Sequence, residues 1–212
     1  MIPKTIQKKL DEGRSYRDMV EIRAVVTDVP DAMMVEGYAS TFNEPYVLYQ
    51  DDDYEIREQI DPNAFDGTDM EDVILQYDHE GRVFARVSNG TLSVAPDEHG
   101  LLIRADLGGT AIGRQLYEEI KGGYTTKMSF GFTVSSDKWE EAKEDGKEKM
   151  LRTITGIRKL YDVSAVSLPA NNATEISARS LCEGVIAEAA EERRRQEARD
   201  RQKRKIKLMM EV

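Results

Sequence analysis

Residues 127–134 read KMSFGFTV. Alternation makes this a strand, with Met128, Phe130, Phe132 and Val134 on one face and Ser129, Gly131 and Thr133 on the other. The apolar set is the inner face of a core. The second face is unusual, because a serine is followed two residues later by glycine. Glycine weakens a strand interior and often marks a close approach by another backbone or a ligand. The stretch therefore predicts a β-rich core, with something approaching Ser129 from the other side.

Working outward, the residues just upstream predict a helix. Thr110 caps it, Ile112, Leu116 and Ile120 recur every four residues, Lys121 suits the C-terminus, and Gly122-Gly123 ends it. Further upstream the pattern is strand-like. VEIRAVVTDV (20–29) and MVEGYASTF (34–42) are separated by the turn signal PDA, and YVLY (46–49) and YEIREQI (54–60) flank the acidic QDDD. DVILQY (72–77) runs into DHEG, and Asn89-Gly90 separates RVFARVS from TLSVA as a hairpin signal. HGLLIRADL (99–107) follows as another strand. Downstream, a polar connection over 135–149 leads to MLRTITGIRKL and then LYDVSAVSLPA. Eight to ten short strands with one or two helices predict an antiparallel barrel or sandwich with helical insertions.

The two ends differ from this middle. Residues 1–19 are polar and read as a loose arm ahead of a domain spanning 20–180. From 181 to 212 the chain is rich in good helix formers, and residues 191–205 hold eight Lys/Arg against four Asp/Glu. This predicts a charged C-terminal helix set apart from the domain core, with Val185, Ile186 and Ala189 its only apolar stripe.

At 212 residues and a net charge of −10 the chain fits a substantial core with polar extensions. The acidic balance argues against nucleic-acid binding, and the basic tail lacks interleaved aromatics. Cys182 is the single cysteine, which excludes an intramolecular disulfide and a cysteine-based zinc site and suits a reducing compartment. No apolar run is long enough to span a membrane, and the first residues lack a signal-peptide core.

Few residues offer chemistry. The chain has two histidines, His79 and His99. His99 reads as a solvated turn residue in PDEHG. His79 follows a strand at a turn, where it is either structural or aimed at a substrate. A hydroxyl nucleophile needs a base, and the base needs an acceptor that fixes its tautomer. Asp162 shares a strand face with Ser164 and Val166, as an edge charge, an arginine's partner, or that acceptor. His79, Ser129 and Asp162 therefore form a legal triad on three strand ends, although pattern alone also yields such trios by accident. Asp51, Asp52 and Asp53 lack the spacing and glycine of a calcium loop and read as a solvated acidic turn, so no metal and no cofactor are expected.

Taken in order, EGYASTFN, EQIDPNAF, YDHEG, GLLIRADL, IKGGYTTKMSFGF and LYDVSAVSLPANNATEI resemble the prohead maturation proteases of tailed bacteriophages over about residues 35–179. The resemblance implies a mainly β fold with helices, like the herpesvirus assembly proteases: a β-barrel surrounded by helices, here with the charged C-terminal helix added. It implies a serine endopeptidase whose histidine is His79 and whose serine is Ser129. The acidic third member, often Glu in that family, falls on Asp162, one methylene shorter. By the same analogy the oxyanion donors lie in the backbone of PANNAT (169–174).

The implied substrate is capsid scaffold, either an N-terminal extension of the major capsid protein or a separate scaffolding protein, with self-cleavage besides. The implied setting is the assembling procapsid in the host cytoplasm, with a homodimer as one arrangement allowed. The alternative is a non-enzymatic scaffold or capsid-assembly protein whose tail carries the function.

Overall fold

The structure, a computed structural model, describes residues 15–25, 32–144, 147–166 and 172–210. Ten strands and two helices follow in the order β1 (Ser15–Ala24), β2 (Met34–Thr41), β3 (Tyr46–Gln50), β4 (Tyr54–Ile60), β5 (Ile74–Tyr77), β6 (Glu80–Arg86), β7 (Leu92–Pro96), β8 (Gly100–Asp106), α1 (Ala111–Lys121), β9 (Lys127–Glu144), β10 (Lys147–Val166) and α2 (Asn172–Met210). Of the arm expected over 1–19, residues 1–14 lie outside the described residues and 15–19 belong to β1.

The fold is organised by β9 and β10, antiparallel partners of 18 and 20 residues. Of the polar connection expected over 135–149, the described residues 135–144 and 147–149 are in fact the far end of this ladder. Its charged residues alternate on a solvated ribbon, and Lys149 pairs with Glu144 at 2.7 Å. β10 is long enough to take further partners in succession. β4 runs parallel to its first half and β5 parallel to its second. On the other edge of β9 comes β1, then β2, β8 and β7.

Among the described residues the fold is mainly β with two helices, as expected, but the barrel is not closed. The pairing path ends at β3 and at β7, and among the described residues no ladder joins those two strands. At one end α2 takes the place of a further strand. Cys182 and Val185 are buried with Ile56 and Met150, and Leu48, Tyr49, Tyr54 and Trp139 pack around them. This also corrects the expectation that the charged helix stands off the core: Cys182, Val185, Ile186 and Ala189 pack against the sheet. Arg193, paired with Glu148, adds a polar contact to β10.

The main core is built as the opening stretch predicts. Met128, Phe130, Phe132 and Val134 are buried, the two phenylalanine rings stack at 4.6 Å, and Phe65 and Phe42 extend the aromatic chain. Leu116 and Ile120 of α1 join this core, and Thr110 caps the helix by accepting from the Gly113 N–H. Ser129 and Thr133 on the opposite face are also buried, so this part of β9 is covered on both sides.

One further departure concerns hairpins. Asn89-Gly90 closes a turn, with the Gly90 N–H donating to the Val87 carbonyl, but β6 and β7 do not pair. The two-residue hairpin lies instead at Asp78-His79, between β5 and β6.

Candidate active site

Asp78 and His79 have φ of 50° and 58°, the paired left-handed values of a type I′ turn, closed by Tyr77 opposite Glu80. Asparagine and glycine prefer these positions, and a non-glycine residue held there costs about 1–3 kcal/mol. The surrounding structure holds the turn in place: β5 is hydrogen-bonded along β10, and the Asp78 N–H donates to the Ala165 carbonyl at 3.0 Å. The tight turn lays the imidazole back over the β9–β10 ladder.

The ladder supplies the other groups. Ser129 stands opposite Ser164, and Gly131 opposite Asp162. A register shift between Leu160 and Asp162 inserts Tyr161 as an extra residue on β10 and changes the strand's parity. As a result Leu160 and Val163 both face the core, while Asp162 and Ser164 share the opposite face with Ser129.

His79 joins these residues. Its Nε2 lies 2.6 Å from Ser129 Oγ and its Nδ1 lies 2.5 Å from Asp162 Oδ1. Ser164 Oγ, 3.1 Å from the same Oδ1 and 3.2 Å from Nδ1, completes the cluster. Ser129 and Ser164 are wholly buried, Asp162 nearly so, and the His79 side chain is 9% exposed. Contact with solvent is therefore on the histidine side. A groove of about 570 Å³ lies between the hairpin and α1, lined by Tyr77, Asp78, Glu80, Phe84, Ile112 and Leu116, which include residues next to His79 in the chain but not the triad itself.

The three residues singled out in the sequence thus converge; the role of Ser164 was missed. Its position beside Asp162 on the strand face was the available signal. The other candidates lie elsewhere. His99 packs edge-on against Tyr38, whose hydroxyl donates to Asp97 at 2.7 Å, and so fastens the β7–β8 turn. Asp51 accepts from the backbone of Asp53 and Tyr54, shaping its own loop; the hydrogen bond from the Tyr49 hydroxyl, followed by those from Tyr54 and Asp53, holds its carboxyl below the usual range. No group of three metal-ligating side chains converges among the described residues. Of the PANNAT segment, 169–171 lies outside the described residues, and Asn172 opens α2.

A serine hydroxyl on one imidazole nitrogen and a carboxylate on the other is the arrangement of a hydrolase with an activated serine. The chain belongs to the caudovirus prohead serine proteases, whose family model matches residues 19–185. No curated protein and no solved structure matches it. A prohead protease acts in the assembling procapsid in association with capsid proteins. No described helix is long and apolar enough to cross a membrane.

Proposed function

We propose that the chain is a serine endopeptidase in which Ser129 is the nucleophile, His79 the general base and acid, and Asp162 the residue that orients the imidazole. The observation that carries this reading is the continuous hydrogen-bonded path from Ser129 Oγ through both nitrogens of His79 to Asp162 Oδ1, with steps of 2.6 and 2.5 Å. In a family of serine proteases such a path has a direct use.

The reaction is acyl transfer. Ser129 Oγ attacks the scissile carbonyl as its proton passes to His79 Nε2. Asp162 accepts from Nδ1–H and stabilises the imidazolium. The tetrahedral intermediate then collapses, the C–N bond breaks, and His79 returns the proton to the leaving amine. Water repeats the sequence on the acyl-enzyme.

Ser129 is wholly buried in this form. Substrate access to Ser129 therefore requires the site to open, a conformational step of the kind that gates many enzymes. The groove between the hairpin and α1 begins at the turn that carries His79 and offers apolar walls to a substrate side chain.

The substrate is capsid scaffold, either an N-terminal extension of the major capsid protein or a separate scaffolding protein, and the protease also cuts itself. The distal basic half of α2 serves recruitment: Arg194, Arg199 and Arg201 are exposed there, on a chain of net −10. The test is co-expression with the capsid and scaffold proteins. Wild type yields shortened products, whereas Ser129→Ala accumulates full-length precursors. Equal processing by both would leave the scaffold-protein alternative standing.

A further inference from the structure

We infer that Ser164 is a positioning residue of the site: its buried hydroxyl locks the Asp162 carboxylate onto His79 Nδ1 and thereby holds the imidazole in the tautomer that leaves Nε2 free to accept from Ser129. The inference rests on the proposed triad and adds a fourth member to it.

Ser164 Oγ donates to Asp162 Oδ1 at 3.1 Å, the same oxygen that His79 Nδ1 reaches at 2.5 Å. Two donors therefore converge on one carboxylate oxygen. An aspartate has a free rotation about its last bond, and a single hydrogen bond from the imidazole leaves that rotation poorly fixed. A second donor from the strand itself restricts it. The serine is well suited to this task, since it is wholly buried, stands directly opposite Ser129 and is held by ladders on both edges of β10. Its oxygen also lies 3.2 Å from Nδ1, so the Nδ1–H proton faces acceptors from both Asp162 and Ser164. A proton on Nδ1 is thereby favoured, and Nε2 is left with its lone pair toward Ser129.

A space-filling serine would give different results. The reporter is a fluorophosphonate, which needs no knowledge of the peptide substrate: Ser129 Oγ bonds to phosphorus, fluoride leaves, and the serine proton passes to His79 Nε2. In Ser164→Ala the maximal labelling rate should fall about 10–100-fold, the range for losing a hydrogen bond to an ionised group, with the half-saturating probe concentration unchanged. Nitrogen-15 histidine spectra give the second readout, with His79 and His99 told apart by His99→Ala. Wild type should show His79 as the Nδ1–H tautomer, and Ser164→Ala should show a mixture with Nε2–H. Ser164→Cys, a near-isostere with a weak donor, should fall between the two and guards against a folding defect in the alanine variant. Wild-type labelling with an unchanged tautomer in both variants would overturn the inference. If instead Ser129→Ala were labelled like wild type, the triad itself would be wrong, whatever Ser164 did.

Discussion

Gly131 stands directly opposite Asp162 across the β9–β10 ladder, while His79 connects the diagonal pair Ser129 and Asp162. Directly opposed residues place their Cβ atoms about 4.5–5.5 Å apart on one face. A side chain at 131 would therefore project beside the carboxylate that the imidazole has to reach. Gly131 therefore keeps this side of the ladder clear of a Cβ beside Asp162. Gly131→Ala should act in opposite directions on stability and activity. Removing a strand glycine should leave the melting temperature equal or higher, by an effect of about 0.5–1 kcal/mol, since alanine restricts the unfolded chain. Labelling of Ser129 should fall by about 100-fold, the cost of displacing a catalytic group by roughly 1 Å. Retained labelling would show that the site tolerates a Cβ there.

Asp162→Asn should keep the fold, because the amide replaces the carboxylate at nearly constant volume. The hydrogen-bond logic changes, since an amide nitrogen facing Nδ1 favours the wrong tautomer. A loss on the order of 10⁴ in kcat is expected, as in other triads. Steady-state hydrolysis of capsid-derived peptides measures it; a loss under tenfold would remove Asp162 from its role.

A second buried polar cluster supports the fold without touching the site. Arg152 is wholly buried, donating to Glu58 at 2.8 Å and to Asp137 at 2.7 Å, with its guanidinium 5.9 Å from the Trp139 ring. Tyr46 completes it by donating to Glu58 at 2.5 Å. Arg152→Ala strands two carboxylates and should cost about 3–5 kcal/mol, read as a lowered denaturant midpoint. Arg152→Met with Glu58→Gln and Asp137→Asn should recover much of it. An unchanged midpoint in the single variant would mean that water already solvates the cluster.

The strands around Ser129 and the helix over 111–121 were legible because each obeys one period throughout, and capping and glycine signals mark the helix ends. The ribbon formed by 135–144 and 147–149 was not, because its alternation is among charged residues and its stability comes from the partner strand. The side of the ladder taken by Asp162 depends on the irregularity at Tyr161, which no alternation pattern reveals. The hairpin at Asp78-His79 lacks the glycine that type I′ turns favour at their second position, so local turn chemistry pointed to Asn89-Gly90 instead. Local rules give way in this manner where a site requires a particular side chain.

The tail divides into two parts with different consequences. A chain ending at Leu181 loses Cys182 and Val185 from the cluster with Ile56 and Met150 and should be destabilised by about 2 kcal/mol or more. A chain ending at Gln196 keeps that cluster and the Arg193–Glu148 pair. It should melt like full length and hydrolyse peptides normally, yet fail to be incorporated into procapsids. Incorporation at full efficiency would take the recruiting role away from the distal helix.

The most direct test is intact-mass analysis after fluorophosphonate treatment, with peptide mapping of the adduct. One phosphonyl group per chain is expected, on Ser129, absent from Ser129→Ala and slowed by orders of magnitude in His79→Ala. An adduct elsewhere, or equal labelling of Ser129→Ala, would contradict the assignment of the nucleophile.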